Sequence, residues 1–338
     1  MDDQGVRSGW DTFKRVLTGP AGRAFIALVL VVLVGVIFNA EGAFHKVATH
    51  RDALRQASVY GILACGMTLV IIGGGIDLAV GSILALVAVC CATLAIHWAW
   101  SPWLVFPACL LIGGCCGAMS GFTAARLRVQ PFIATLAMMV FARGMAKYVS
   151  GGMKVSTAVQ NPDGTYRYVD VPPLFKVIDS RVLGDSVPVV TLIFAACLAV
   201  AWAALARHRW GRQIYAIGGN EEAARLSGVP VVMAKLWAYA MSGIFAGVAG
   251  ICQAAQEHQG DPEAGVGYEL IAIAMVVMGG TSLMGGRGGM GLTLLGVLTI
   301  GYLEKILSIN AVPEAGRLML TGVIIIAAVL TQRRGRSS

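Results

Sequence analysis

Apolar residues in this chain come in long, nearly unbroken runs separated by short polar or glycine-rich breaks. Strict alternation, the mark of a half-buried strand, is missing, and the runs are too long for soluble helices with one buried stripe. Runs of this kind predict membrane-spanning helices, each needing about 20 apolar residues. Reading them between the breaks predicts about ten spans, near residues 24–40, 57–73, 76–97, 103–125, 131–149, 188–206, 231–254, 268–284, 290–307 and 316–331. Only Gly73-Gly74-Gly75 separates the second span from the third, and the run Gly279 to Gly291 interrupts the eighth and ninth. Either pair is a candidate for broken or re-entrant segments. The expected fold is therefore an all-α integral membrane protein, a polytopic bundle of about ten transmembrane helices.

Composition agrees. Of 338 residues, 57% are apolar and 13% charged, against about 25% charged in soluble domains. That excludes disorder and argues against a soluble enzyme. The net charge of +8 needs no nucleic-acid partner, because internal loops of membrane proteins accumulate Lys and Arg. With the N-terminus inside, internal segments hold 14 basic residues and external segments 7. This predicts both termini in the cytoplasm. The expected organisation is a cytoplasmic segment 1–23, a permease domain 24–331 with an external loop 150–187 and a cytoplasmic loop 207–230, and a tail 332–338. The start, Met1-Asp2-Asp3, is unlike a cleaved signal, so the first run reads as a retained span. The eight Cys, including Cys90-Cys91 and Cys115-Cys116, lie in apolar runs and read as small packing residues.

The cytoplasmic loop carries the most specific local signal. Gly218-Gly219 reads as a breaker and Asn220 as a helix N-cap. Glu221 and Glu222 suit the first turn of a helix, where carboxylates favour its dipole. Ala223, Ala224, Arg225 and Leu226 are helix formers, and Gly228 and Pro230 end the element. A helix of about seven residues is too short to stand alone. Either it is a plain connector, or a soluble partner packs on it.

Two glycine-rich motifs lie at the breaks. In the first, Gly73-Gly74-Gly75-Ile76-Asp77-Leu78-Ala79-Val80-Gly81-Ser82, Asp77 is an ionisable group near membrane depth. Such groups are functional candidates, although a capping carboxylate is an equal reading. The second, Gly279-Gly280-Thr281-Ser282-Leu283-Met284-Gly285-Gly286, aligns with the first when Gly74 is set on Gly279, which places Ser282 opposite Asp77. Gly74, Gly75, Asp77, Gly81, Ser82, Gly279, Gly280, Ser282 and Gly286 are the candidate translocation-path or broken-helix residues.

These motifs also carry a resemblance. Glu222-Ala223-Ala224, followed after three residues by Gly228, is similar to the EAA-x3-G core of ABC importer permeases, and the first glycine motif resembles the GGIDLSVGS signature of ribose-type sugar permeases, with Ala79 in place of Ser. The likeness extends through Val129 to Leu136, Ile214 to Gly228 and Gly267 to Gly291. It implies an inner-membrane permease of a binding-protein-dependent monosaccharide importer. By that resemblance, Gly218, Gly219, Asn220, Glu221, Glu222, Ala223, Ala224, Arg225 and Gly228 form a coupling helix that docks on an ABC ATPase subunit. It also implies a periplasmic sugar-binding protein and a second permease copy or paralogue. ATP and Mg would sit in the ATPase, with no cofactor in this chain.

Other chemistry has little support. The sequence has no Walker A run, no HExxH and no GxSxG elbow, so no catalytic residue and no metal site is predicted. Glu257, Asp261, Glu263 and Glu269 read as a solvated external loop, Glu314 and Arg317 as an i, i+3 pair, and Trp98, Trp100 and Trp103 as an interfacial belt. The alternative function is an ion-gradient-driven secondary transporter. It would need intramembrane charge, for which Asp77 is nearly the sole candidate.

Overall fold

The computed structural model describes residues 19–160 and 163–334. Arg7, Lys14, Arg15 and Arg336, used in the orientation argument, lie outside the described residues. Ten helices follow the ten predicted spans: α1 (Pro20–Ile37), α2 (Val47–Ile72), α3 (Val80–Ala92, extended by a π-helical turn over Thr93–His97), α4 (Pro102–Ala125), α5 (Pro131–Ser150), α7 (Val189–Ala206), α10 (Val231–Glu257), α11 (Tyr268–Met278), α12 (Met290–Ile309) and α13 (Glu314–Arg334). Three shorter helices complete the set. One, α6 (Pro173–Asp179), lies in the long polar segment beside two small hairpins, β1 (Ala158–Gln160) with β2 (Tyr166–Tyr168) and β3 (Arg181–Val182) with β4 (Val187–Pro188). The other two, α8 (Arg209–Gly219) and α9 (Glu221–Leu226), lie between α7 and α10. One end of the bundle thus carries the hairpins and the other carries α8 and α9.

The core forms around α2, α3 and α10. Both α2 and α3 are buried over most of their length, whereas α1 exposes Phe25, Leu30, Leu33 and Ile37. In lipid, helices gain by close backbone approach between small residues. On α4, Gly113, Gly117 and Gly121 fall on one face and meet α10 around Tyr239, Gly243 and Gly247. A Cβ at Gly113 would overlap the carbonyl of Gly243, and one at Gly117 the carbonyl of Tyr239. These two glycine ladders are legible in the sequence as a four-residue spacing. Six of the eight Cys are buried, among them Cys65, Cys91 and Cys252, as packing residues should be.

Two readings need correction. The eighth span is expected over 268–284, but α11 has 11 residues and is about 16 Å long, half of a bilayer core. Its partner in crossing is the segment before it. Gly260 packs on Ala88 and Val89 of α3, and Gly265 on Gly81, eight residues or about 12 Å further along that helix. The segment after α10 therefore dips into the bundle, and α11 starts at mid-depth, where the Tyr268 ring meets that of Tyr60, 4.5 Å between centroids. Glu263 pairs with Lys147 at 2.6 Å and Asp261 with Lys154 at 2.9 Å; the loop is solvated as expected, with Glu263 59% exposed, but these two carboxylates are paired. Asp261 beside Lys154 raises the pKa of that ammonium, by hydrogen bonding first and charge second. The second correction concerns Arg317, which pairs with Glu304 of α12 at 3.7 Å, not with Glu314 of its own helix.

Asp77 is also far from the only ionisable group within the spans. Arg143, Lys147, Lys235, Lys305 and Arg317 all lie on spanning helices. Each has a partner, as a charge out of water requires: Lys147, Lys235, Lys305 and Arg317 pair with carboxylates. Arg143 donates to the carbonyls of Pro262 and Ala264 at 2.5 and 2.7 Å, holding the dipping backbone in place.

Candidate functional site: a glycine joint, a buried aspartate and a short exposed helix

The short helix forms as its sequence predicts. Asn220 Oδ1 accepts from the Ala223 N–H at 3.0 Å, one of the orphan donors of a helix start. Glu221 and Glu222 occupy the first turn and Arg225 the last. The end is a Schellman motif: Gly228, with φ +81, donates to Arg225 O, and Val229 donates to Ala224 O. Within α9 only Ala224 is buried, while Leu226 is 81% exposed. Glu221 ties the helix inward through Lys235 of α10, Oε2 to Nζ 2.6 Å. Glu222 points out, with a 68% exposed side chain and only Arg225 at 3.4 Å.

Gly218 and Gly219 do not break the chain before the helix. They are the last turn of α8, an amphipathic helix that the sequence reading missed, which buries Gly211, Ile214 and Ile217. The helical spacing of Gly211, Ile214 and Ile217 is present in the sequence. His208 caps its start, Nδ1 accepting from the Trp210 N–H at 3.3 Å.

These two glycines bring the three motifs to one point. Gly218 packs against the carbonyl of Ile72 at the end of α2 and against the backbone N of Gly286, and Gly285 lies on both Gly218 and Gly74. The Gly286 N–H donates to Ile72 O at 2.9 Å. Tyr215 of α8 donates to Gly288 O at 2.9 Å; burial raises its pKa, which secures the proton that makes this bond. The two glycine-rich motifs and α8 thus form one backbone-to-backbone joint directly beside α9.

The likeness between the two motifs is physical. α2 and α11 end in the same way. Gly74 (φ +77) donates to Ile71 O and Gly75 to Val70 O; Gly280 (φ +104) donates to Val277 O and Thr281 to Val276 O. Both are Schellman ends needing a left-handed residue, which glycine adopts without strain. After each comes a side-chain turn: Asp77 Oδ1 accepts from the Ala79 N–H at 3.0 Å, and Ser282 Oγ from the Met284 N–H at 3.3 Å. The helix ends therefore match Gly74 with Gly280, whereas the turns match Asp77 with Ser282. The first motif carries one more residue between the two features, so a gapless alignment pairs the glycines one place out.

Asp77 is fully buried, and both oxygens are engaged. Besides Ala79, it accepts from the Ser242 hydroxyl of α10 at 2.8 Å. The neighbouring Ile76 carbonyl accepts from Thr135 of α5 at 3.3 Å and from Tyr239 of α10 at 3.4 Å. Asp77 does not cap a helix at Leu78; α3 starts at Val80, and the carboxylate closes the turn that leads to it. Gly81 packs on Gly265 and the Glu269 carboxylate, and Ser82 is buried in the same turn of α3. This carboxylate is a clamp between α3 and α10. Asp77→Asn keeps one acceptor for Ala79, and Ser242 can turn its hydroxyl to accept instead. It is expected to retain more than about half of transport activity, at a cost of about 1 kcal/mol in stability. Asp77→Leu leaves Ala79 and Ser242 unpaired and is expected to cost about 3 kcal/mol. Uptake and melting curves of the two variants check this; loss of uptake in Asp77→Asn at full stability would make the charge itself essential.

Among the described residues, eight helices are long and apolar enough to cross a membrane, and α11 is a shorter apolar helix. The family described as branched-chain amino acid transport system / permease component matches residues 50–329, and the chain belongs to that family. It is 40% identical over 309 residues to a ribose import permease protein of Haemophilus influenzae, covering 91% of each chain. The ribose import permease protein of Escherichia coli K12 is 38% identical, over 91% of this chain and 92% of that one. The L-arabinose transport system permease protein of the same strain is 35% identical over 82% and 80%. No solved structure matches the chain. The chain is a multi-pass membrane transport subunit and not an enzyme.

Proposed function

We propose that this chain is the translocation subunit of an ATP-driven importer of a monosaccharide or similar small neutral solute, with α9 as the element through which a separate ATPase acts. The single observation behind this reading is the placement of α9. It is capped at both ends, exposes Leu226 and Glu222, and adjoins the backbone joint of Gly74, Gly218 and Gly285. Force applied there reaches α10 through the Glu221–Lys235 pair and through the joint. α10 is a rod of 27 residues, about 40 Å long, and it bears Tyr239 and Ser242 against the Asp77 turn.

In this reading the α9 end and both termini face the cytoplasm, in line with the excess of Lys and Arg there. The hairpin end faces the periplasm and receives solute from a binding protein. Two permease chains, identical or paralogous, form the path between them within the lipid bilayer, each presenting one α9 to one ATPase that holds ATP and Mg. Ribose, arabinose and related sugars are the first solutes to test, given the relatives at 35–40% identity. The experiment is purification of the chain from its native membrane in mild detergent. The expected result is a stoichiometric ATPase with a P-loop and uptake that stops when its Walker lysine is replaced. A chain that purifies alone, and moves solute on an ion gradient, would overturn the reading in favour of a secondary transporter.

A further inference from the structure

A cavity of about 630 Å³ lies behind α9, walled by the turn from α4 to α5 and by the first residues of α10. α9 therefore has two sides. Glu221 and Arg225 line the cavity, whereas Glu222 and Leu226, the exposed residues offered to an ATPase, do not.

The cavity is cationic. Arg126, Arg128, Arg225 and Lys235 line it, against the one carboxylate of Glu221. That carboxylate is already committed, to Lys235 at 2.6 Å and to Arg225 at 3.2 Å. Arg126 and Arg128 are exposed, and among the described residues no carboxylate pairs with either. Two guanidinium groups are thus open to an anion, and their planar forks suit a phosphate.

The cavity also adjoins the lipid-facing surface. Its walls are the ends of spanning helices. Phe122, one turn before Arg126 on α4, Phe132 in the first turn of α5 and Met233 at the start of α10 are each about half exposed. Cations at the helix ends with apolar side chains one turn further along match a phospholipid, whose phosphate sits above its chains. The cytoplasmic leaflet supplies such lipids in anionic form.

We propose that this cavity holds the headgroup of an anionic phospholipid of the cytoplasmic leaflet, its phosphate against Arg126 and Arg128. Arg225 of α9 lines the same cavity, so the bound lipid backs α9 while an ATPase acts on its outer side. The choice of leaflet rests on the importer reading above; the binding itself does not.

The test titrates the chain, purified in mild detergent, with phosphatidylglycerol and with phosphatidylcholine, and counts bound lipids by native mass spectrometry. Wild type is expected to hold phosphatidylglycerol in preference. Arg126→Gln combined with Arg128→Gln should weaken that lipid about 25-fold, about fivefold for each arginine. The comparison is Arg207→Gln combined with Arg209→Gln. It removes the same charge beside Trp202 and Trp210, outside the cavity, and should leave the lipid bound. Equal weakening by the two pairs, or equal retention of the two lipids by wild type, overturns the site. If the double variant does not accumulate, each single variant carries the test, and no loss in either overturns it. Displacement of the lipid by millimolar inorganic phosphate would assign the cavity to a free anion and overturn the lipid. So would loss of the lipid when the chain is purified with its ATPase bound, which would give the cavity to the ATPase. Uptake is not part of the readout, so the importer reading stands or falls separately.

Discussion

Replacing Gly218 by Val is expected to remove the folded protein from the membrane. The new Cβ would overlap the carbonyl of Ile72 and the backbone N of Gly286. Neither is the end of a flexible side chain, so relief requires moving α2, α8 or the second glycine motif as a whole. Overpacking of this kind costs about 3 kcal/mol or more, and the Gly286–Ile72 hydrogen bond is lost with it. Gly219→Ala is the internal control. A Cβ at Gly219 meets nothing within 4 Å, and its effect should stay within about 0.5 kcal/mol. The check is melting of the two purified variants in one detergent, with their abundance in the membrane. Equal melting curves would show that the three glycine motifs are not in contact.

Reversing the charge at Glu222 is expected to do the opposite: fold intact, transport gone. Glu222 makes one exposed ion pair, with Arg225, and such pairs are worth little. Its place in the first turn of α9 adds a small dipole term, for about 1 kcal/mol in all. If a partner ATPase docks on this face, Lys at 222 puts a wrong-sign charge in the interface, which costs several kcal/mol. Uptake should fall about 100-fold, and the ATPase should no longer co-purify. Glu221→Gln makes a useful contrast. It weakens the pair to Lys235 without altering the outer face, so the ATPase should stay bound while transport declines. Full uptake in Glu222→Lys would remove α9 from the coupling role.

The contacts that join α8 to the two glycine motifs are made mostly backbone to backbone. α10 is tied to α9 through Lys235 and to the Asp77 turn through Ser242. For Asp77 the sequence leaves two equal readings, a functional intramembrane charge and a capping carboxylate. Its two hydrogen bonds, to Ala79 and to Ser242, make it a structural clamp, and Lys235, Lys305 and Arg317 are paired with carboxylates.

The sequence by itself determined that the fold is an all-α polytopic bundle and the order of its long helices, because lipid demands about 20 apolar residues per helix and the chain supplies them in visible runs. It also determined α9, whose cap, first-turn carboxylates and terminal glycine are all local signals within nine positions, Asn220 to Gly228. Those features rest on interactions between residues close along the chain. What only the tertiary structure decided lies between distant residues. Nothing local announces that Gly74, Gly218 and Gly285 share one joint, that Ser242 answers Asp77 from 165 residues away, or that Gly260 to Gly267 dips into the bundle while α11 crosses half of it. A glycine's small size is written in the sequence, but the backbone it makes room for is not. The partner of a buried charge is likewise fixed by packing alone, since the cost of leaving it unpaired is the same wherever along the chain that partner comes from.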